Sequence, residues 1–184
     1  MTDNMTLRQR INSRAFWIKQ IRDLGILSVA LFAIASYMQR DMIDGQAPQL
    51  SAVTVQQQPF ILATSTKPTL VYFWGTWCPA CKVTSPMVNS LASHNEYQVI
   101  SIAVASGSDQ DIIQFMYNND LQFPVINEAN MTLVPHQQSL SQQWGANAFP
   151  AIYIIDNQQQ IRFVTSGITT QWGLKLRLWL STFL

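Results

Sequence analysis

The chain has 184 residues, of which 48% are apolar or aromatic and 11% charged, with a formal net charge of +1. That length suits one domain plus an appendage, with apolar residues enough for a core. The balanced charge offers no basic field for nucleic acid, and no glycine-rich phosphate-binding loop occurs.

Positive charge gathers at the start. Arg8, Arg10, Arg14, Lys19 and Arg22 precede the most apolar run, Leu24 to Met38, and only Arg40 follows directly, offset by Asp41 and Asp44. The positive-inside rule places the N-terminus in the cytoplasm and everything beyond residue 40 across the membrane. The run is shorter than the roughly 20 residues that a spanning helix needs. The expected anchor therefore extends back to residue 16, through Phe16, Trp17, Ile18 and Ile21, with Lys19 and Arg22 snorkelling to the interface. A cleaved signal peptide with Ala33-Ile34-Ala35 as its small-residue site is the alternative. The long basic segment and the flanking Trp17 and Tyr37 favour an uncleaved anchor. The expected boundaries are a cytoplasmic tail over 1–15, a single transmembrane helix over 16–38, a linker with a short strand over 39–58, and one domain over 59–184. Both readings put that domain outside the cytoplasm, where disulfide chemistry is permitted.

Within the domain, Leu50 to Val55 is expected as the short strand and "TLVYFW" at 69–74 as a strand buried on both faces. A helix begins near Cys78, with Val83, Met87, Val88 and Leu91 on one face and Pro86 kinking it. "QVISIAVA" at 98–105 is the next buried strand. "SDQD" at 108–111 matches a capping box and opens a helix that turns Ile112, Ile113, Met116 and Tyr117 inward. A short strand near 123–127 and a short helix over 139–144 follow. Strands at 151–156 and 161–166 form a hairpin through Asn157, with Asp156 fixing the turn. The last helix starts near Thr170, and its stripe of Trp172, Leu176, Trp179, Leu180 and Phe183 is expected in the core. Alternating strands and helices imply an α/β fold with a mixed sheet, because the final hairpin must be antiparallel.

The only two cysteines, Cys78 and Cys81, are two residues apart at the junction of strand and helix. A disulfide there closes a minimal loop and restricts the unfolded chain very little, so chemistry explains it better than stapling. Backbone N–H groups at a helix N-terminus stabilise an anion and lower a thiol below its free pKa of about 8.5. Cys78 is thus the candidate nucleophile, Pro79 sits where a missing N–H costs nothing, and Cys81, one turn on, is the candidate resolving thiol.

"VYFWGTWCPACKVTSP" resembles the active-site segment of the thioredoxin superfamily, and "WGANAFPAIYIID" resembles the segment carrying that superfamily's cis-proline. The resemblance implies a thioredoxin-like fold, a mixed central sheet flanked by helices, and a cis Phe149–Pro150 bond beside the cysteines. It also implies a redox-active disulfide Cys78–Cys81 and a substrate groove formed by Trp77, Pro79, Phe149 and Pro150. One inserted strand–helix unit, the N-terminal anchor and Gly45-x-Ala47-Pro48 resemble the TlpA-like membrane-anchored branch. The ending "SGITTQWGLKLRLWL" is similar to proteins of the suppressor-of-copper-sensitivity D type. The implied protein is an inner-membrane, periplasm-facing protein-disulfide oxidoreductase without cofactor, acting on protein thiols and disulfides. Reduction is favoured over oxidation, with electrons from a DsbD-like membrane partner. Tyr72 stands where thioredoxin has a buried aspartate. Ala80 and Ala151 stand where cytochrome-maturation members carry glutamate, and Ala80 also replaces the histidine of strong oxidases.

Two other chemistries are weighed against this one. A zinc site built from the cysteines with His94 and His136 fails on spacing, since the histidines are 42 positions apart rather than about four to six. Copper(I) held by Cys78 and Cys81, with Met131 or His136 assisting, suits soft ligands and is the alternative function.

Overall fold

The structure is a computed structural model that describes residues 14–131 and 138–183. It divides after Arg40 into an N-terminal helix and a compact domain. The expected tail, 1–15, lies almost wholly outside the described residues, as does His136.

Helix α1, Arg14–Gln39, has 26 residues and a length of about 39 Å at 1.5 Å per residue. Its apolar side chains from Trp17 to Tyr37 are bare, with Ile26, Val29 and Phe32 at 63%, 69% and 74% exposure. Among the described residues, no helix is long and apolar enough to cross a membrane. The physical reason lies in the N-terminal turns, which Arg14, Lys19, Arg22 and Asp23 occupy, the last two paired at 3.0 Å. The uncharged remainder, Leu24 to Met38, measures only about 22 Å against a hydrocarbon layer of about 30 Å. The expected spanning helix over 16–38 is therefore present as a helix but falls short as a span.

The domain's elements are β1 (Gly45–Gln46), β2 (Ser51–Val53), β3 (Pro59–Ile61), β4 (Thr69–Trp74), α2 (Pro79–Ala92), β5 (Gln98–Ala103), α3 (Asp109–Asn118), β6 (Val125–Asn127), α4 (Leu140–Gln143), β7 (Ala151–Ile155), β8 (Gln160–Ser166) and α5 (Gln171–Leu180). Six strands form one sheet in the order β1-β8-β7-β4-β5-β6, and β2 with β3 forms a separate hairpin. Strands β4, β5 and β6 run parallel, whereas β7 is antiparallel to β4 and β8 to β7. The sheet is mixed, as expected.

Every residue of β4 is buried, and its side chains alternate between two layers. Leu70, Tyr72 and Trp74 meet Val88 and Leu91 of α2, Ile112 and Met116 of α3, and Leu174 and Leu178 of α5. Val71 and Phe73 meet Leu50, Leu140, Trp144 and Tyr153 on the other side. The second layer is thin in helix and is completed by the segment before β4. Residues 41–58, expected as a linker with one strand, are built into the domain: β1 pairs with β8, and Ala47 and Leu50 are buried. Val55 N–H donates to Val125 O at 2.7 Å, and the Gln56 side chain accepts from Val125 N–H, covering the edge of β6. Gly145 (φ +63°) has no room for a Cβ because the Asp41 carbonyl lies against it. That contact seats the first residues of the domain.

Helix ends follow the expected chemistry. Ser108 and Asp111 form a reciprocal capping box, and these hydrogen bonds hold the Asp111 carboxyl below its ordinary range. The helix faces need correction. In α2 the buried face is Cys81, Thr84, Ser85, Val88 and Leu91, while Val83 points out. In α3, Ile112 and Met116 go inward, and Ile113 and Tyr117 are exposed. In α5, Leu174 and Leu178 enter the core, whereas Trp172, Leu176 and Trp179, with Phe183 just past the helix end, lie outside. Each of these helices has apolar residues on more than one side, so spacing alone could not choose the face that meets the sheet.

Asp156 ends β7 and organises the hairpin. Its carboxylate accepts from Gln158 N–H (2.7 Å), Gln160 N–H (2.9 Å) and Arg162 Nε (2.6 Å). Burial pushes this carboxyl up, but the Gln160 amide, the Arg162 guanidinium and the Gln158 amide together hold it below its ordinary 3.8. Asp156→Asn is expected to lower stability at pH 7 by about 1–3 kcal/mol in urea unfolding. A carboxyl depressed on folding contributes fully above its unfolded pKa, and the contribution fades as the pH falls through the folded value. The gap between wild type and variant is therefore expected to close as the pH drops below 3.8.

Candidate active site

Strand β4 delivers the chain to the site. Beyond Trp74 the backbone turns through Gly75, Thr76 and Trp77, and Cys78 becomes the N-cap of α2 with extended backbone (φ −88°, ψ 111°). Cys78 N–H donates to Gly75 O at 3.1 Å, closing the turn. A Cβ on Gly75 would lie 2.6 Å from Trp77 Nε1, so the indole folds back into space that a side chain at this position would contest. Pro79 occupies the first helical position and is exposed.

Cys78 and Cys81 are joined in a disulfide with Cα atoms 5.2 Å apart. Cys81 N–H donates to Cys78 Sγ at 3.1 Å, so the cap of the helix is a sulfur atom. Cys78 is 3% exposed and Cys81 1%. The turn before Cys78 is tied to the loop after β5. Thr76 N–H donates to Ser106 Oγ, Ser106 Oγ–H to Val104 O, and Trp77 Nε1–H to Val104 O, all within 3.0–3.1 Å. Trp77 itself is 55% exposed.

The second sequence segment arrives from β7. Phe149–Pro150 is cis, Pro150 is buried and Phe149 half-buried. Phe149 packs against the cluster containing both cysteines, and its ring meets the Trp77 ring edge to face at 5.8 Å. Pro150 O accepts from Gly167 N–H at 2.8 Å. The fold thus brings Trp77, Cys78, Cys81 and Phe149 together, with Pro79 and Pro150 directly adjoining them in the chain.

An aromatic floor lies underneath. Tyr72 stacks on Trp74, and Phe123 meets both edge to face. Tyr72 OH lies 3.0 Å from Ser85 Oγ and donates to Cys81 O at 3.4 Å. Burial pushes the Tyr72 phenol well above its ordinary value, against a smaller opposing effect of Ser85, so it stays neutral. The position that holds a buried acid in thioredoxin is here a neutral hydroxyl pair supporting the backbone of Cys81.

Among the described residues no group of three or more His, Cys, Asp and Glu is placed to hold a metal. His94 is exposed just beyond α2, and Met131 packs in the layer opposite the cysteines. Neither Ser106 nor Ser85 was singled out from the sequence. Both are single serines with no spacing signal, and only the tertiary structure places them.

The AhpC/TSA family profile matches residues 43–164, most of the chain. The chain belongs to the AhpC/TSA family. A thioredoxin-like protein of Haemophilus influenzae is 32% identical over 168 residues, covering 90% of this chain and 95% of that one. The thiol-disulfide oxidoreductase ResA of Oceanobacillus iheyensis is 26% identical, covering 91% and 89% of the two chains. The solved structure of Mycobacterium tuberculosis DsbF superposes with a TM-score of 0.60 at 25% identity, covering 74% of this chain and 99% of that one. Family membership, these relatives and the cysteine pair identify an oxidoreductase of thioredoxin-like type within the AhpC/TSA family.

Ser106→Ala is expected to strand the Thr76 amide and cost about 1–3 kcal/mol. Faster hydrogen exchange at Thr76 and Trp77, with amides of β4 unchanged, is the measurement that checks it.

Proposed function

We propose that this protein is a membrane-held, periplasm-facing thiol–disulfide oxidoreductase that reduces disulfides in protein substrates. Cys78 is the nucleophile, Cys81 the resolving thiol, and Trp77, Pro79, Phe149 and Pro150 shape the groove that receives the substrate chain. The observation that carries the reading is a closed cysteine pair at a helix N-terminus, preceded by a turn tied to Ser106 and flanked by an exposed indole.

In the reduced protein, amides at the start of α2 favour the Cys78 thiolate. That thiolate attacks one sulfur of a substrate disulfide, and the other substrate sulfur leaves as a thiolate. A mixed disulfide links Cys78 to the substrate. The Cys81 thiolate then attacks Cys78 Sγ, closing the Cys78–Cys81 bond and releasing the second substrate thiol, so two electrons pass to the substrate. The closed pair is recharged by a DsbD-like dithiol donor in the membrane.

Direction follows from how well the thiolate is held. Strong oxidants owe their potential to a stabilised reduced form. Cys78 is nearly buried, which penalises an anion, Cys81 N–H is the amide aimed at its sulfur, and Ala80 contributes no donor. The disulfide form is favoured, and a potential below about −200 mV is expected from equilibration with glutathione, nearer thioredoxin than strong oxidants. A potential near −120 mV, the range of a strong oxidant, overturns the direction.

Location rests on α1. A short apolar run is accommodated by local thinning of the bilayer and by snorkelling of flanking cations, for which Lys19 and Arg22 are placed. Retention in the membrane pellet after alkaline carbonate, with protease reaching the domain only from the periplasmic side, is expected. Release by carbonate rejects the anchor.

Cys81→Ser is expected to accumulate mixed disulfides between Cys78 and cellular proteins, visible as high-mass bands that thiol reductant removes. Cys78→Ser should show none. Equal bands in both variants, or none in either, would sink the assignment of nucleophile and resolving thiol.

A further inference from the structure

Helix α5 has two apolar faces. Leu174 and Leu178, fully buried, seat it on the core. On the opposite side Trp172, Leu176, Trp179 and Phe183 recur at helical spacing and remain 83%, 56%, 53% and 70% exposed. The rings of Trp179 and Phe183 meet edge to face at 4.9 Å, so the ridge is continuous. Together these four side chains bare roughly 500 Å² of apolar surface, at the upper end of what a soluble monomer tolerates in one patch.

Charge identifies what covers it. From Asn157 to Leu184 the chain contains no Asp or Glu, while α5 itself carries Lys175 and Arg177. Lys175, at 300° around the helix from Trp172 by the 100° step per residue, borders the ridge. Two tryptophans and a phenylalanine on one face, with the cation Lys175 beside them and no acid in α5, fit a helix lying in a lipid headgroup layer. A second copy of this chain fits less well. The ridge offers less than the roughly 800 Å² per partner of a stable protein interface, and it is convex, with like charges that would face one another.

We propose that α5 is an interfacial lipid-binding helix, which lays Trp172, Leu176, Trp179 and Phe183 into the headgroup region of an anionic phospholipid bilayer, with Lys175 at the phosphates. Gln171 Nε2 donates to Ser90 Oγ of α2 at 2.7 Å, so the helix that meets lipid is bonded to the helix that carries the cysteines. The inference is independent of the thiol chemistry: failure of either leaves the other standing.

The test uses the full chain reconstituted in vesicles of phosphatidylglycerol and phosphatidylcholine containing a diazirine phospholipid, with adducts mapped by mass spectrometry after illumination. Adducts are expected in peptides covering 163–183. They should fall at least fivefold in vesicles of phosphatidylcholine alone, and at least fivefold in a Trp172→Gln, Trp179→Gln double variant. Those two positions are exposed, so the fold should survive; unchanged circular dichroism checks this, and the wild-type map needs no variant. Adducts confined to α1 peptides overturn the proposal, as do α5 adducts indifferent to lipid charge. Chemical cross-linking of two copies through 172–183 without lipid adducts overturns it in favour of self-association.

Discussion

The site depends on the burial of β4. All six of its residues are sealed, with a parallel neighbour on one side, an antiparallel one on the other, and helical and arm layers above and below. A strand so enclosed cannot slip by one residue, since a slip would exchange every side chain between the two layers. The position at which the chain leaves Trp74 is therefore fixed, and with it the start of α2. Trp74 O accepts from Val104 N–H at 2.8 Å, extending the sheet bonding one step beyond β5. Precision at the sulfur is inherited from packing some distance below it.

Cys81, the proposed resolving thiol, is held differently. Cys81 faces the core, and its backbone carbonyl receives the Tyr72 hydroxyl, which also meets Ser85. A carboxylate in that place would carry a charge that burial penalises and would couple its protonation to the neighbouring thiol. The neutral phenol and serine keep the geometry without the charge. Among the described residues this layer places no carboxyl group beside Cys81. The difference changes electrostatics at the thiol while leaving the fold intact.

Much of this was legible in the sequence because the relevant signals are local. A continuous apolar run gave β4, the two cysteines beside Pro79 marked the helix start, and Ser108 with Asp111 announced the next helix. What stayed hidden required knowing which way each helix turns. Val83 in α2, Ile113 and Tyr117 in α3, and the tryptophans of α5 all sit on faces that periodicity allowed to be core. The sheet takes one stripe per helix, and in α5 it took the slimmer leucines. Ser106 and Gln56 were invisible for another reason. They bond to backbone atoms about 30 and 70 positions away, and a single polar side chain carries no pattern that spans such a distance. In α1 the helix forms where expected, but helix length and apolar length are different quantities when charges fill the first turns.

The near-complete burial of Cys78 bears on what kind of catalyst this is. An exchange reaction needs a line of approach to one sulfur atom along the axis of the bond being broken, which demands far less open area than exposure of the whole residue. Trp77 and Phe149, edge to face above the turn, border that approach with rigid aromatic surface. A small flexible thiol gains little from such a border, whereas an extended polypeptide can lay apolar side chains against both rings and bond its backbone beside Phe149 as an added strand. Binding energy drawn from those flanking contacts is what can bring two sulfur atoms into line. On the proposed reading, low exposure is a means of selection, because the disulfides that would react are those carried on a chain able to fill the groove.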